Sequence, residues 1–508
     1  MESARDLVIG IDSSTTATKA IAWRRDGSVA GVGRGPIPLS SPGYDRYEQD
    51  PEDWWSAATK ALHELFGQVA PARVASLAIA NQRETFVPLE SSGAPVRPAI
   101  VWLDQRCGEE VAWLADKVGS ERIHRISGKP PDMAPVAYRI AWMLRHEPEH
   151  FRNTAIFADV HGYLVWRLTG AFRTSWASAD PLGLFDMQEK VWSPEVLEAL
   201  ELRPDRLPEP VAPTSVLGRV SATAAAQTGL APGTPVVSGG GDGQAAGLGV
   251  NALTPWRAYL NLGTAVVSGT YSTDYHTGTA WRTMGSCSGD GYYFETSLRA
   301  GTFLVDWFAR QVCRASEGDT GIYQRLEAEA AAVPIGCNGL VAVPYWGAVM
   351  TPYWDPQARG CFVGLKESHR LGHLYRSLLE GIALEQALVS GMIEEQTGVQ
   401  IREFIAIGGG AASDLWCQIV ADASGKTVRR SKTVEASSLG AAVCAAVGAG
   451  WYASAAEAAE AMSGAITRET EPIPGQAERY RELLDIYREI YPQLRATFGK
   501  LTRFTASD

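Results

Sequence analysis

The chain has 508 residues, 45% of them hydrophobic and 20% charged, a balance that excludes a disordered or fibrous protein. Its net charge of −11, without long runs of lysine and arginine, argues against nucleic acid or a membrane surface as partner, and the absence of an apolar span or signal segment leads us to expect a cytoplasmic protein. The length exceeds what one core usually supports, so two large domains are expected.

The first 80 residues predict an antiparallel meander followed by a helix and a strand. Asp26-Gly27 between two apolar runs is a strong hairpin signal, and Asp50 followed by Pro51 is typical of a helix start. The predicted elements are strands at 7–11, 20–23 and 29–34, a helix at 54–66 and a strand at 75–80.

The same order recurs in the second half of the chain. The predicted elements there are strands at 259–262, 265–271 and 291–295, helices at 303–312 and 374–393, a strand at 404–407 and a helix from 413. Such a repeat predicts two similar α/β domains, each with a mixed sheet covered by helices. We place the boundary in the glycine-rich stretch 245–255, which gives domains 1–248 and 249–508.

Two turns of small and hydroxyl residues lie about half the chain apart. Residues 13–16 follow Asp12 at the end of the first strand, and Gly263-Thr264 follow the corresponding strand of the repeat. Turns of this kind point N–H groups and hydroxyls at an anion, so the pair could hold a polyphosphate from both sides. Asp12 could also hold Mg²⁺ through water, and an Asx-turn at a hairpin tip explains it equally well.

Asp242 is the candidate general base. It follows three glycines, 239–241, at a strand-to-helix turn where a ligand could approach the carboxylate closely, and a helix N-cap is the alternative. A third glycine turn, 408–410, precedes Ser413 and could pass against a phosphate or a flat ring, although such a turn is weak evidence alone. The chain lacks a P-loop and a clean G-x-G-x-x-G motif, which disfavours both of those nucleotide sites.

Together these motifs resemble, in order and over roughly residues 7–452, the FGGY family of carbohydrate kinases. The resemblance implies an α/β fold of two ribonuclease-H-like (actin-like ATPase) domains with a catalytic cleft between them, and ATP with Mg²⁺ as cofactors. It implies Asp242 as the catalytic base, and Asp12 and Asp242 as Mg²⁺ ligands through water. The implied ATP-binding residues are Ser13, Ser14, Thr15, Thr16, Lys19, Gly263, Thr264, Gly408, Gly409, Gly410, Ser413 and Asp414.

The acceptor is a sugar or polyol by the same resemblance. Segment 81–85 is similar to the polyol-contacting segment of glycerol kinases, and the implied substrate-binding residues are Arg83, Glu84, Trp102, Asp242 and Gln244. Ala134 stands where the glycerol pattern has an aromatic, and Gly243 where it has a glutamine. Both losses enlarge the pocket and favour a ketopentose such as xylulose, as does the likeness of 351–365 to xylulose kinases.

Alternatives remain open at this point. The Met-His pair of many xylulose kinases is missing at Arg83-Glu84, so glycerol or another polyol is the competing substrate. Other classes are an actin-like ATP-binding switch without sugar chemistry and an NAD-dependent oxidoreductase built on 408–413. The sequence does not decide the oligomeric state, and a homodimer is one option.

Overall fold

The computed structural model describes residues 5–316, 318–319 and 321–505. The strands are β1 (Leu7–Ser13), β2 (Ala17–Trp23), β3 (Val29–Pro36), β4 (Ser40–Gly43), β5 (Arg46–Gln49), β6 (Val74–Asn81), β7 (Phe86–Leu89), β8 (Ala99–Ile100), β9 (Ile156–Asp159), β10 (Arg173–Ser175), β11 (Phe185–Asp186), β12 (Val191–Trp192), β13 (Glu209–Val211), β14 (Val216–Arg219), β15 (Pro235–Gly241), β16 (Arg257–Leu262), β17 (Val266–Ser272), β18 (Arg282–Gly285), β19 (Tyr292–Leu298), β20 (Val341–Val343), β21 (Cys361–Val363), β22 (Glu403–Ile407), β23 (Thr427–Ser431) and β24 (Ile466–Thr470).

The helices surround two mixed sheets, one in each half of the chain. They are α1 (Pro51–Phe66), α2 (Gly108–Val118), α3 (Ser120–Ser127), α4 (Val136–His146), α5 (Pro148–Asn153), α6 (Val160–Thr169), α7 (Trp176–Ala179), α8 (Pro194–Ala199), α9 (Ala222–Thr228), α10 (Asp242–Gly249), α11 (Thr302–Trp307), α12 (Gly321–Ala331), α13 (Leu371–Thr397), α14 (Asp414–Ser424), α15 (Ala436–Gly448), α16 (Ala455–Met462) and α17 (Pro474–Thr505).

The N-terminal sheet has the strand order β14-β15-β6-β1-β2-β3. β1, β2 and β3 form the predicted antiparallel meander, while β1, β6 and β15 run parallel. Because parallel strands bring their carboxyl ends to one edge, Ser13 pairs with Asn81 and Asn81 pairs with Gly241. Asp12 and Asp242 therefore lie at the same edge of the sheet.

The C-terminal sheet repeats this plan in the order β18-β19-β17-β16-β22-β23-β24. β16, β17 and β19 form an antiparallel meander, and β22 and β23 continue parallel to β16. The predicted duplication of an α/β domain with a mixed sheet is thus confirmed. The prediction missed β18, and the helix expected at 303–312 is divided into α11 and a π-helical turn, Phe308–Val312.

α10 and α15 cross between the two sheets. Both are rich in small residues, and a Cβ on Gly440 would collide with the carbonyl oxygen of Ala245, so the helices touch backbone to backbone. α15 follows β23 in the chain but lies on the N-terminal sheet, where the Ser438 hydroxyl donates to the Gly10 carbonyl at 2.9 Å and accepts from Trp23 Nε1 at 3.2 Å. This crossing joins the two halves behind the cleft.

The long helix α17 packs on the C-terminal half through tyrosines that reach buried carboxylates. The hydroxyls of Tyr480 and Tyr487 donate to Glu380 and Glu385 at 2.9 and 2.6 Å. Burial raises the pKa of Glu385 to about 7, although its two tyrosine donors oppose the rise. Within the described residues, no helix has both the length and the apolar character that crossing a bilayer requires.

Candidate active site

A cavity of about 370 Å³ opens between the two sheets, at the strand ends that carry Asp12 and Asp242. Both halves of the chain contribute to its walls, which is the arrangement expected of a cleft between domains. Its lining residues are Ser14, Thr15, Arg83, Glu84, Trp102, Leu103, Asp104, Gln105, Met133, Ala134, Asp242, Thr264, Ala265, Val267, Arg282, Ser297, Arg299, Phe303 and Met350.

Asp242 is the first residue of α10, and the extended Gly241 precedes it as the N-cap, so the N-cap interpretation of Asp242 is wrong. Its Oδ1 accepts from the Gly243 N–H at 2.7 Å and lies 2.9 Å from Arg83 Nε. Burial raises the pKa of Asp242 above its usual range, and Arg83 opposes the rise. The contacts fall on Oδ1, so Oδ2 can take a proton from a bound hydroxyl.

Arg83 belongs to a chain of alternating charges that crosses the cleft. Its Nη1 lies 2.8 Å from Glu295 on β19, while Arg282 on β18 contacts Glu295 at 2.8 Å and Glu84 at 2.6 Å. Glu295 is fully buried, but the two arginines outweigh burial and hold its pKa at about 2. These ion pairs orient both Arg83 and Glu84, the predicted acceptor-binding pair.

Neither Glu295 nor Arg282 was predicted as a site residue. Both come from β18 and β19, far in sequence from the loop that carries Arg83. A charged residue inside the apolar run 292–298 is the signal that could have identified Glu295, because an unpaired carboxylate is rarely buried in a strand.

Trp102 covers the mouth of the cavity. Its indole Nε1 donates to Thr15 Oγ1 at 2.8 Å, and the side chain stays 41% exposed, so one face is available to a ligand. The loop beneath it is held by Arg139, which is completely buried and donates to the carbonyl oxygens of Glu84 and Ala134, each at 2.5 Å. Arg139 thereby connects the loop that carries Arg83 and Glu84 to α4.

Gln244, a predicted acceptor-binding residue, lies outside the lining of the first cavity. Its side chain is fully buried and donates to the Ala177 carbonyl at 2.8 Å, beside the carboxylate of Asp180. Gln244 lies two positions after Asp242 in α10, so its side chain points in another direction and lies beneath the cavity. Lys129, also buried, lies 3.4 Å from Asp180 and completes this polar cluster.

Asp12 has the environment of a cation ligand. Its Oδ1 is buried without a hydrogen-bond partner in the described part of the chain, and burial together with the charge of Asp242 raises the pKa of Asp12 to about 7. No group of three metal-binding side chains occurs among the described residues. The two carboxylates of Asp12 and Asp242 fit Mg²⁺, which usually binds through one or two carboxylates plus phosphate and water.

The first turn is only partly directed at the cavity. Ser14 and Thr15 line it, whereas Ser13 is buried with its hydroxyl 3.2 Å from Thr18 Oγ1, and the exposed Thr16 lies outside the lining. Lys19 is held by Glu435, whose two carboxylate oxygens are each 2.7 Å from its Nζ. A phosphate contact by Lys19 remains a prediction that requires competition with Glu435.

A second cavity, of about 740 Å³, lies beside the first and shares Thr264 and Phe303 with it. Its lining residues are Thr264, Thr302, Phe303, Val305, Asp306, Arg310, Tyr323, Gln324, Glu327, Tyr375, Gly409, Gly410, Ala412, Ser413 and Trp416. The wall formed by residues of 302–310 and 323–327 was not predicted, because α11 and α12 carry no nucleotide motif.

The glycine turn before α14 borders this second cavity through Gly409, Gly410 and Ser413. Gly408 adopts a φ of +82° and packs on Asn261 of the second turn, where a side chain would collide. Gly263 lies next to Thr264 and accepts the Thr302 N–H through its carbonyl at 2.7 Å.

Asp414, a predicted ATP-binding residue, is held by two arginines. Its exposed carboxylate is tied to Arg430 at 2.7 Å and to Arg468 at 2.5 Å, and it is absent from the lining of the second cavity. The ion pairs therefore direct its side chain to β23 and β24.

Comparison with known proteins assigns a family to this architecture. Residues 7–249 match the model of the N-terminal domain of the FGGY family of carbohydrate kinases, and residues 258–449 match that of its C-terminal domain. The chain is 28% identical to a xylulose kinase of Bacillus subtilis over 95% of this chain and 96% of that protein. It is 31% identical to a glycerol kinase of Aromatoleum aromaticum over 93% and 95% of the two chains. The crystal structure of xylulose kinase from Rhodospirillum rubrum superimposes with a TM-score of 0.90 at 29% identity, covering 97% of this chain and all of that one.

Proposed function

The chain belongs to the FGGY family of carbohydrate kinases, and on that premise we propose that it transfers the γ-phosphoryl group of ATP to a terminal hydroxyl of a ketopentose such as xylulose. The observation that carries the proposal is the Arg83–Asp242 pair, which lies in a cavity that adjoins a second, larger one. The first cavity would take the acceptor and the second the nucleoside.

Asp242 is the general base in this proposal. Its Oδ2 accepts the proton of the attacking hydroxyl while Arg83 and the Gly243 N–H hold Oδ1. Arg83 and Glu84 bind the remaining hydroxyls through charge-assisted hydrogen bonds, and Trp102 covers the carbon chain. The role of this constellation is alignment, on which phosphoryl transfer mainly depends.

Mg²⁺ would be held by Asp12, with Asp242 near enough to contribute through water. When bound, it neutralises phosphate charge. The Ser14–Thr15 and Gly263–Thr264 turns offer hydroxyls and N–H groups to the phosphates from opposite walls. Closure of the cleft would exclude water and limit ATP hydrolysis.

The size of the cavity supports an acceptor longer than glycerol. Ala134 lines it with a small side chain, which leaves room for a five-carbon chain. Gly243 does not enlarge the cavity as expected, because Glu295 and Arg83 occupy the space next to its Cα. The similarity to a glycerol kinase keeps glycerol as the competing acceptor.

A panel of acceptors tests the proposal. ADP release would be measured with MgATP and xylulose, ribulose, hexuloses, pentitols, glycerol or gluconate, and without acceptor. We expect the highest kcat/KM with a pentulose. A higher value with glycerol or gluconate would contradict the substrate, acceptor-independent ADP release would favour an ATP-binding switch, and no ADP release with any acceptor would contradict the kinase.

A further inference from the structure

One charged residue in the acceptor cavity lacks a counter-charge. Arg83 and Arg282 contact Glu295, Glu84 contacts Arg282, and Asp104 contacts Arg106 at 2.7 Å. Arg299 also lines the cavity, yet its guanidinium makes no ion pair or side-chain hydrogen bond with any residue that the structure describes. Arg299 is half-buried, and a ligand in the cavity could supply the counter-charge that no described residue supplies.

Arg299 lies at the side of the cavity nearest the second turn, Gly263-Thr264. It follows β19, and because side chains alternate along a strand it lies on the same face as Ser297, which also lines the cavity. It lies four positions beyond Glu295, which is about 13 Å along a strand. Glu295 marks the end that holds Arg83 and Asp242, so Arg299 lies away from the hydroxyl-binding group.

The backbone after Arg299 is fastened to the second turn. The N–H groups of Gly301 and Thr302 donate to the carbonyls of Thr264 and Gly263 at 3.0 and 2.7 Å. The aliphatic part of Arg299 packs against Gly347. A Cβ added to Gly347 would lie 3.2 Å from the Cβ of Arg299. Arg299 is therefore anchored next to Thr264, one of the two residues shared by both cavities.

We infer that Arg299 binds the γ-phosphoryl group of the nucleotide at the junction of the two cavities, an inference that rests on the proposed function. The acceptor oxygen forms a bond to γ-phosphorus as the bond to the β–γ bridging oxygen breaks, ADP carries away that electron pair, and the acceptor proton passes to Asp242. Arg299 is unchanged in this step. Its planar guanidinium binds the equatorial phosphoryl oxygens and stabilises their charge.

Nucleotide binding without acceptor tests the inference. Affinities for Mg-AMP-PNP and Mg-ADP would be measured by calorimetry for the full-length protein, R299M, R299K and the control R122M, which removes one surface cation that pairs with Glu195. We expect R299M to bind AMP-PNP about 10- to 100-fold more weakly while its ADP affinity stays within about twofold. R299K should recover part of the loss, and R122M should bind both nucleotides normally. With xylulose, kcat of R299M should fall by about 10³-fold.

Several results would overturn the inference. Unchanged AMP-PNP affinity in R299M would remove the contact, and equal weakening of ADP and AMP-PNP would indicate a general distortion. Loss of turnover only with acceptors that carry a carboxylate, such as gluconate, would assign Arg299 to the acceptor. If R299M does not fold, R299K and R299Q give the same comparison. Failure of the unsubstituted protein to bind either nucleotide would instead overturn the proposed function itself.

Discussion

Arg83 and Glu295 join the two walls of the cleft through an ion pair of 2.8 Å. Since Arg83 also lies 2.9 Å from Asp242, the position of the proposed base depends on a strand from the other half of the chain. An opening motion that withdraws Glu295 would therefore release Arg83 from its orientation as well. The proposed reaction centre is complete only when both walls are in contact.

Substitution of Asp242 by asparagine should abolish most turnover. D242N keeps the shape of the side chain but cannot take up the proton, so kcat should fall by about 10²- to 10⁴-fold while ATP affinity stays within a few-fold. Initial-rate kinetics and calorimetry measure the two quantities. The control is D205N, at a surface aspartate paired with Arg203, and near-normal turnover in D242N would refute the role.

Substitution of Glu295 by glutamine should move the acid limb of the pH–rate profile to lower pH. A general base works only when ionised, so activity is lost as the pH falls through the pKa of Asp242. The negative charge of Glu295 contributes to raising the pKa of Asp242, and its removal lowers that pKa. The profile of kcat for E295Q and for the surface control E195Q measures the shift. An unchanged or upward-shifted limb would show that the two residues are not coupled.

A larger side chain at Ala134 should reverse the acceptor preference. A134F fills part of the cavity wall, so kcat/KM for xylulose should fall relative to that for glycerol by about 10-fold or more. A134S changes the volume little and serves as the matched control. If A134F lowers both values equally, Ala134 does not limit acceptor length.

The docking of α17 should weaken as the pH rises. The folded-state pKa of Glu385 is about 7, above its ordinary 4.5, so its contribution is most favourable below about pH 4.5 and is lost as the pH rises to 7. Ionising it in the fold costs up to about 3 kcal/mol above pH 7. E385Q should thus gain in Tm relative to the unsubstituted protein between pH 5 and pH 8. The exposed Glu395 on the same helix gives the control, E395Q, and a constant difference across this range would contradict the prediction.

A methyl group at the helix crossing should destabilise the protein. G440A places a Cβ against the Ala245 carbonyl, and overpacking of this kind costs about 1–3 kcal/mol or more because neither backbone can yield locally. Gly391, in the interior of α13, has open space within 4 Å of the position that an added Cβ would take, so G391A should be neutral or stabilising. Thermal unfolding compares the two variants. Equal Tm values would mean that α10 and α15 can separate without cost.

The repeat, the two turns and Asp242 could be predicted because each is a local pattern at the end of a strand. Asp12 and Asp242 lie at one edge since β1, β6 and β15 are parallel, a consequence that the α/β order already implies. The contacts of Arg282 and Glu295 could not be predicted, because they depend on pairing between segments far apart in the sequence. Arg282 reaches Glu84 across 198 positions, and nothing near either residue indicates the other.

Two predicted site residues, Gln244 and Asp414, lie outside the cavity linings for local physical reasons. Gln244 is close to Asp242 in sequence, which suggests an acceptor contact, but successive helical residues point about 100° apart, and the side chain turns towards Ala177. The motif around Asp414 suggests a nucleotide contact, whereas Arg430 and Arg468 attract its carboxylate away.

The placement of α15 also sets an order of events during synthesis. The strands of the N-terminal sheet are all made by residue 241, but the face that contains Val8, Trp23 and Val237 is covered by residues 436–448. A nascent chain thus leaves the ribosome with an apolar sheet surface that stays unburied until most of the second half has followed. If the first half folded before the rest of the chain was made, this surface would stay exposed to water, and a fragment ending near residue 248 would expose it permanently.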